Sequence, residues 1–287
     1  MIRAAVLGQD VSRSQSPAIH GAAYAALKLE GRYEAVSVDA AHFRRRVKDL
    51  AGEGYRYVNV TIPYKRRAAQ LATKRSPAVE MTGAANTLVF RRSRAGGLEI
   101  FADNTDGEGL IAALADMGVR LTSRTRVVMI GAGGAAAGAL LAMAKRGAHV
   151  SVLARRPAPA RALRARLPER WRPRVTTATL TARALTGALQ EADVVVSAVP
   201  AAAWDDPALC QAIEKLPKTA AVLEMAYGAS SGLAKAASTR TPRYQNGLPM
   251  LVHQAAHAIG VALRKKPPVA PLFRAVGHPP PKARRRS

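Results

Sequence analysis

The chain has 287 residues, 48% of them hydrophobic, which suits one large domain or two smaller domains with separate cores. No stretch approaches the roughly 18 apolar residues of a membrane span. The single cysteine excludes an intrachain disulfide and a cysteine-based metal site, so we expect a cytoplasmic protein without bound metal. A net charge of +25 would attract anionic ligands, but the cations are dispersed and aromatic residues make up only 5%, so we expect no specific nucleic-acid partner.

The first third of the chain alternates segments with strand and helix patterns. Ser16 is the predicted N-cap of the first helix, with Pro17 at the first helical position. Two apolar segments on either side of Ala95-Gly96-Gly97 have the pattern of a hairpin. Strands are predicted at residues 4–7, 33–38, 57–60, 88–90 and 98–101, and helices at residues 16–29 and 41–50.

A second pattern, of strand–helix units, begins near Asp106. Its apolar strands predict a parallel sheet with helices on both faces. Strands are predicted at residues 127–130, 149–153, 194–197 and 221–225, and a late helix at residues 249–263. We therefore expect an α/β chain with an N-terminal domain at residues 1–105, a dinucleotide-binding domain at 106–245, C-terminal helices at 246–278 and a disordered basic tail at 279–287.

A glycine-rich turn follows the apolar strand at residues 127–130. The turn reads Gly131-Ala132-Gly133-Gly134-Ala135 and leads into an alanine-rich segment with a helix pattern. Strand, glycine turn and helix in this order are typical of a dinucleotide-binding site. Gly131 allows the tight turn, and Gly133 allows the backbone to approach a pyrophosphate at the helix N-terminus. A small-residue turn that closes a strand–helix unit without a ligand is the alternative.

The next predicted strand ends at Arg155-Arg156. An NAD-binding chain would carry Asp or Glu near this position to bind the ribose 2′-hydroxyl. Arginine instead suits a 2′-phosphate, because its guanidinium forms charge-assisted, bidentate hydrogen bonds. The sequence therefore predicts NADP as cofactor, with Arg155 as the first candidate; Arg156 either shares the contact or points to solvent.

Four polar segments outside the glycine turn lie in loops next to predicted strand ends, where α/β proteins build their sites. They are Ser12–Pro17, Asn59–Lys65, Gly83–Thr87 and Asp103–Gly107. Two serines, Ser14 and Ser16, can both donate to one anionic group, and Lys65 and Asp106 are candidates for proton transfer. Singly, each has a simpler reading: Ser16 as a cap, Lys65 as a surface cation, and Asn86 and Asp106 as turn or cap residues.

Taken together, these segments resemble the shikimate dehydrogenase family. The chain carries six pieces in the family's order over about 240 residues. They are Ser-x-Ser-Pro-x-x-His at 14–20, Asn-Val-Thr-x-Pro-Tyr-Lys at 59–65, Gly-Ala-x-Asn-Thr at 83–87, Asn-Thr-Asp at 104–106, Gly-Ala-Gly-Gly-Ala at 131–135 and Gly-Leu-x-Met-Leu-x-x-Gln-Ala at 247–255.

The resemblance implies a catalytic N-terminal domain, a Rossmann domain, and C-terminal helices that return to the first domain. It implies an enzyme that reduces 3-dehydroshikimate reversibly to shikimate with NADPH, a step of chorismate and aromatic amino-acid biosynthesis. We expect the enzyme to be a monomer or a homodimer. Lys65 and Asp106 are the implied catalytic pair, and either can supply the proton. The implied substrate-binding residues are Ser14, Ser16, Thr61, Asn86, Tyr227 and Gln254, and Asn59 is a further substrate-binding candidate because its side-chain amide suits a ring hydroxyl. The candidate cofactor-binding residues are Gly131, Ala132, Gly133, Gly134, Ala135, Arg155, Arg156 and Gly247.

The chain departs from the family pattern mainly in its cofactor-binding half. The usual Asn-Arg-Thr is Ala154-Arg155-Arg156, and the usual Asp-x-x-Tyr is Glu224-Met225-Ala226-Tyr227. Two alternatives follow: a relative that acts on quinate with NAD, and a non-catalytic regulatory relative that binds a dinucleotide or nucleic acid. Ser16 and Arg155 argue against the first, and retention of Lys65 and Asp106 argues against the second.

Overall fold

The structure is a computed structural model that describes residues 1–93, 96–228 and 230–281. The chain divides into two compact units. The first combines residues 1–109 with the C-terminal residues from 251 onward, and the second contains residues 110–250. Part of the predicted hairpin turn, residues 94 and 95, and residues 282–287 of the predicted tail lie outside the described residues.

The first unit contains a six-stranded mixed sheet in the order β2-β1-β3-β5-β6-β4. Only β5 runs antiparallel to its neighbours, β3 and β6, and its pairing with β6 confirms the predicted hairpin. The two-residue strand β4 was not predicted, because two exposed residues carry no alternation pattern. The strands are β1 (Ile2–Gly8), β2 (Gly31–Ser37), β3 (Tyr57–Val60), β4 (Lys74–Arg75), β5 (Thr87–Arg92) and β6 (Leu98–Asp103).

Twelve α-helices occur in the described part of the chain. The units divide within two of them, α5 and α11. In chain order they are α1 (Ser16–Ala26), α2 (Phe43–Gly52), α3 (Lys65–Leu71), α4 (Pro77–Thr82), α5 (Asp106–Asp116), α6 (Gly134–Lys145), α7 (Pro157–Arg166), α8 (Ala182–Leu189), α9 (Pro207–Ala212), α10 (Gly232–Arg240), α11 (Leu248–Leu263) and α12 (Val269–Ala275).

The prediction that Ser16 caps the first helix is wrong. Helix α1 already includes Ser16, its N-cap residue is Gln15, and no side chain caps it. The hydroxyl of Ser14 instead accepts the backbone N–H of Ser16 at 3.2 Å, so one of the two serines is engaged at the helix start. The helix also ends before the predicted residue 29, since Lys28 adopts the left-handed conformation with φ of 54°.

Both faces of the first sheet are covered by apolar side chains. One face packs against α2 and α3 through residues such as Val47, Leu50 and Ala68. The other packs against α1 and the C-terminal helices through Ile19, Val252 and other buried residues. The late helix predicted at residues 249–263 is thus part of the first unit's core over the residues that follow Leu251.

The second unit contains a six-stranded sheet that is parallel throughout, in the order β12-β11-β10-β7-β8-β9. Central strands β7 and β10 are nearly fully buried, which is why they are continuous apolar runs. The predicted doubly covered parallel sheet is confirmed. Its strands are β7 (Arg126–Ile130), β8 (His149–Ala154), β9 (Val175–Thr179), β10 (Val194–Ser197), β11 (Ala221–Glu224) and β12 (Tyr244–Gln245).

Candidate functional site

Lys65 and Asp106 form a largely buried ion pair in the first unit. Lys65 is the first residue of α3, and Asp106 is the first residue of α5. The Lys65 ammonium lies 2.6 Å from Oδ2 of Asp106, and the side chains are only 13% and 6% exposed. The two proton-transfer candidates, 41 residues apart in sequence, therefore meet in one place. The simpler reading of Lys65 as a surface cation does not fit this burial.

Asn86 holds the other oxygen of the Asp106 carboxylate. Its side-chain amide nitrogen has three acceptors within hydrogen-bond distance, which its two N–H groups share: Oδ1 of Asp106 at 2.9 Å, Oγ1 of Thr105 at 2.9 Å and Oε1 of Gln254 at 3.1 Å. Asn104 accepts the backbone N–H of Asp106 at 3.1 Å, so the start of α5 is held by the preceding loop. The carboxylate is thus bound on one side by an ammonium and on the other by an amide.

This arrangement suits chemistry in which negative charge develops on a substrate oxygen. An ammonium in a largely dehydrated place stabilises such charge more strongly than it would in water. The Asp106 carboxylate beside it keeps a proton acceptor at hydrogen-bond distance, so Lys65 and Asp106 together can give or take a proton.

The two predicted carboxylate-binding serines lie at the start of α1. Ser16 is 5% exposed, and its hydroxyl makes no hydrogen bond to any other described residue. Ser14 is half-buried and accepts the N–H of Ser16. Thr61 is half-buried just beyond β3, and its backbone N–H donates to the carbonyl of Leu7 at 2.9 Å. These three hydroxyls remain able to donate to a ligand.

Asn59 occupies a different environment from the other predicted substrate-binding residues. Its side chain accepts from Tyr33 at 2.8 Å and donates to the carbonyl of Asn86 at 3.2 Å and to Thr87 at 3.0 Å. The residue is 6% exposed, and its amide hydrogens and its carbonyl oxygen are all engaged inside the unit. Gln254 is also buried, with its amide donating to the carbonyl of Leu251 at 3.0 Å.

The glycine turn of the second unit has the local geometry of a dinucleotide site. Gly131 adopts a φ of 110°, and a Cβ there would lie 2.9 Å from the carbonyl oxygen of Ala198. Gly133 is the N-cap residue of α6, and, apart from Gly133 and its two chain neighbours, no described residue has an atom within 4 Å of the point where its Cβ would be. Ala132, Gly134 and Ala135 are half-buried. A ligand phosphate therefore has open space beside Gly133 and the free N–H groups of the α6 N-terminus.

Arg155 and Arg156 directly follow β8 and are both exposed. Neither makes an ion pair or a side-chain hydrogen bond with another described residue. The two guanidinium groups are therefore available to an anion, with Arg156 as the N-cap residue of α7. Two exposed arginines directly after β8 fit a dinucleotide that carries a 2′-phosphate.

Gly247 and Tyr227 belong to the segments that follow β11 and β12. A side chain at Gly247 would overlap the carbonyl oxygen of Met225, and its N–H donates to the carbonyl of Ala226 at 2.9 Å. Close backbone packing therefore requires glycine here, whatever ligand it meets. Tyr227 is half-buried. Its role and the cofactor contact of Gly247 stay predictions.

Sequence reasoning did not single out Thr87, Thr105 or the environment of Glu224. Both threonines belong to quoted motifs, but only the folded network shows their hydrogen bonds. Glu224 is 2% exposed at the end of β11 and accepts from Ser231 at 2.7 Å and from Tyr244 at 2.8 Å. Burial and this carboxylate raise the pKa of Tyr244. In the sequence, the signal that pointed to Glu224 is its departure from the Asp-x-x-Tyr motif of the family.

Comparisons with known proteins agree with this organisation. Residues 6–88 match the model of the shikimate dehydrogenase substrate binding domain, and residues 99–254 match the alanine dehydrogenase/PNT C-terminal domain. No described helix is long and apolar enough to cross a membrane.

Relatives match the chain over nearly its whole length. The shikimate dehydrogenase (NADP(+)) of Acidovorax ebreus is 37% identical over 285 residues, which cover 93% of both chains. The shikimate 5-dehydrogenase of Thermus thermophilus, solved with NADP(H) and shikimate, is 28% identical with a TM-score of 0.81 over 96% of this chain and 99% of that one. The shikimate dehydrogenase of Mycobacterium tuberculosis is 29% identical with a TM-score of 0.82 over the same shares. The chain belongs to the shikimate dehydrogenase family.

Proposed function

We propose that the protein is an NADP-dependent oxidoreductase that reduces 3-dehydroshikimate reversibly to shikimate. The observation that carries the proposal is the buried Lys65–Asp106 pair with Asn86 on its second oxygen. Whole-length similarity to enzymes named shikimate dehydrogenase (NADP(+)) supports the same reaction. A regulatory relative without catalysis would have no need to bury this ion pair, since burial of two charges costs free energy.

In this proposal the substrate is held by its acid group and its hydroxyls. The hydroxyls of Ser14 and Ser16 donate to the substrate carboxylate at the start of α1. Thr61, Asn86 and Gln254 bind ring hydroxyls, and Tyr227 completes the substrate side. Asn59 contributes indirectly, because its polar atoms are engaged inside the unit.

The reacting oxygen lies against Lys65. As the ketone is reduced, negative charge grows on that oxygen, and the Lys65 ammonium stabilises it. Lys65 or Asp106 then supplies the proton, and the pair is reprotonated from solvent. Asn86 keeps the Asp106 carboxylate oriented through Oδ1 during this exchange. When bound, NADPH supplies the hydride.

The cofactor is held by backbone groups and arginines of the second unit. The turn from Gly131 to Ala135 and the N-terminus of α6 bind the pyrophosphate, and Gly247 adds a backbone contact. Arg155, with Arg156 beside it, binds the 2′-phosphate that distinguishes NADP from NAD. The positive net charge would raise the local concentration of both anionic ligands. A cytoplasmic location and a monomeric or homodimeric state belong to this proposal as well.

One assay separates the candidate functions. Nicotinamide absorbance is followed with shikimate and with quinate, each with NADP and with NAD. We expect turnover with shikimate and NADP to exceed the other three combinations. Faster turnover of quinate with NAD would identify the protein as the alternative enzyme, which acts on quinate with NAD. Absence of turnover in all four, together with salt-sensitive DNA binding, would assign a regulatory role.

A further inference from the structure

A layer of buried polar side chains, formed by Tyr33, Asn59 and Thr87, contacts Asn86. Asn59 on β3 and Thr87 on β5 are cross-strand neighbours in the antiparallel pairing of these strands. Their side chains are 6% and 0% exposed and are joined by a 3.0 Å hydrogen bond. Thr87 in turn contacts Oδ1 of Asn86 at 3.0 Å. An uninterrupted series of hydrogen bonds thus leads from Asn59 to the residue that holds Asp106.

Backbone groups fix the direction of every hydrogen bond in this series. Asn59 faces the carbonyl of Asn86, which can only accept, so the Asn59 amide nitrogen must point there. Asn86 faces the N–H of Thr105 at 2.9 Å, which can only donate, so the Asn86 carbonyl oxygen must point there. The opposite orientation of either amide would place two donors or two acceptors against each other. The hydroxyl of Thr87 therefore accepts from Asn59 and donates to Asn86.

The far end of the series is anchored by Tyr33. Its hydroxyl donates to Oδ1 of Asn59 at 2.8 Å, and its ring stacks on His20 with centroids 3.8 Å apart. Burial lowers the pKa of His20 to about 3, so this ring is neutral at physiological pH. Burial also raises the pKa of Tyr33. These side chains are therefore all uncharged from about pH 5 to about pH 9.

We infer that Asn59 is a positioning residue, which orients the Asn86 amide toward Asp106 by way of the Thr87 hydroxyl. Tyr33 holds Asn59 in the orientation that this requires. The inference rests on the proposed function, in which Asp106 and Lys65 exchange the proton. It assigns Asn59 and Thr87 an effect on turnover without a contact to the substrate.

Two matched pairs of variants test the inference. Thr87→Val removes the hydroxyl at nearly constant volume, and Thr87→Ser retains it. Tyr33→Phe removes the hydroxyl that holds Asn59. Tyr24→Phe removes a buried hydroxyl whose one hydrogen-bond partner among the described residues is Tyr57, at 2.7 Å. Thr87→Val removes two hydrogen bonds of the series and Tyr33→Phe removes one. We expect each variant to lower kcat about tenfold, with a smaller change in KM for shikimate. Thr87→Ser should recover most of kcat, and Tyr24→Phe should leave it unchanged.

A double-mutant cycle distinguishes positioning from general loss of stability. In an Asn86→Ala background, Thr87→Val should lower kcat by less than about twofold, because the residue it acts through is absent. An undiminished tenfold loss in that background would overturn the inference, as would equal effects of Tyr33→Phe and Tyr24→Phe. Unfolding midpoints of all variants show whether a loss of kcat reflects a smaller folded fraction.

A measurement without turnover keeps this inference separate from the proposed function. The side-chain amide resonance of Asn86, assigned by its loss in Asn86→Asp, is recorded in ¹⁵N-labelled protein. We expect it to shift in Thr87→Val and Tyr33→Phe but not in Tyr24→Phe. An unshifted resonance in all three would overturn the inference even in an active enzyme. Failure of the wild-type protein to oxidise shikimate would instead contradict the proposed function and leave the resonance test standing.

Discussion

The two candidate ligand-binding regions of the molecule are built in contrasting ways. The Lys65–Asp106 region of the first unit is built from buried side chains, each held by other side chains. The glycine turn of the second unit is built from backbone groups, and the two arginines after β8 are exposed and free of ion pairs within the described chain. The arrangement of the first region depends on the identity of individual side-chain atoms. The arrangement of the second depends on backbone conformation and on the positive charge of the arginines.

This contrast has a physical reason. A proton-transfer group must sit within hydrogen-bond distance of a reacting atom in the correct protonation state, which demands a fully satisfied surrounding network. A phosphate is bound by charge and by several N–H groups at once, so each contact contributes a modest and graded part. We therefore expect isosteric substitutions to be severe in the first region and mild in the second, unless they alter the backbone.

The largest effect should come from Lys65→Ala. We expect kcat to fall by about 10³-fold with KM for shikimate nearly unchanged, because the ammonium acts on charge that exists only in the transition state. Steady-state kinetics with NADP measure both constants, and Arg66→Ala, the exposed neighbour, is the control. An equal loss in kcat and in affinity would make Lys65 a binding residue only.

Two substitutions in the glycine turn should separate its effect on stability from its effect on NADP binding. Gly131→Ala should reduce the free energy of unfolding by about 3 kcal/mol, because φ of 110° is strained for alanine and the new Cβ would crowd Ala198. Gly133→Ala should leave the stability unchanged, since its Cβ enters open space, and should weaken NADP binding instead. Urea unfolding and NADP titration measure the two effects. Equal destabilisation by both variants would contradict this division.

Acid should destabilise the first unit through His20. Its pKa is lowered from 6.5 to about 3 by burial, so below pH 6.5 the unfolded chain takes up a proton that the folded chain does not. The stability contribution of the neutral ring is therefore complete above pH 6.5 and is lost as pH falls, by about 2 kcal/mol at pH 5. Urea unfolding at pH 7 and pH 5 should show a smaller difference for His20→Gln than for wild type. The control is His149→Gln, which changes an exposed histidine. If His20→Gln lost as much stability between pH 7 and pH 5 as the wild type does, the assignment to His20 would be refuted.

The smallest effect should come from Arg155→Ala. We expect KM for NADP to rise about tenfold while KM for NAD stays constant, since only NADP carries the 2′-phosphate. Arg161→Ala removes an exposed cation from the same basic segment and controls for net charge. A parallel rise in KM for both cofactors would show that Arg155 acts through the general field alone.

Much of the fold could be predicted from the sequence, because long apolar periods and glycine turns are local signals. The strand before Gly131 and the hairpin strand that begins at Thr87 are examples. Elements with weak local signals were missed, including the two-residue strand at Lys74 and the helix that begins at Gly232. Ser231 caps that helix by accepting the backbone N–H of Ala234, and a serine at this position is a preferred N-cap residue.

The proposed catalytic pair, Lys65 and Asp106, could be anticipated from residue types, but the environment of Asn59 could not. Its engagement depends on the register that places it opposite Thr87 and on Tyr33 from another strand. Such contacts arise from strand pairing and have no local sequence pattern. The same holds for Ser16, whose predicted capping role depended on where α1 begins.

The hydrogen bond between Asn86 and Gln254 spans 168 residues of the chain. The polar cluster around Asp106 therefore closes only after the C-terminal helix α11 has joined a sheet made from the first third of the sequence. Contacts of such high sequence separation form late, because loop closure must come first. A nascent chain that has emerged only through the second unit would thus carry Lys65, Asp106 and the glycine turn but lack the Gln254 side chain that completes the cluster, so the complete cluster would wait for the residues that follow that unit.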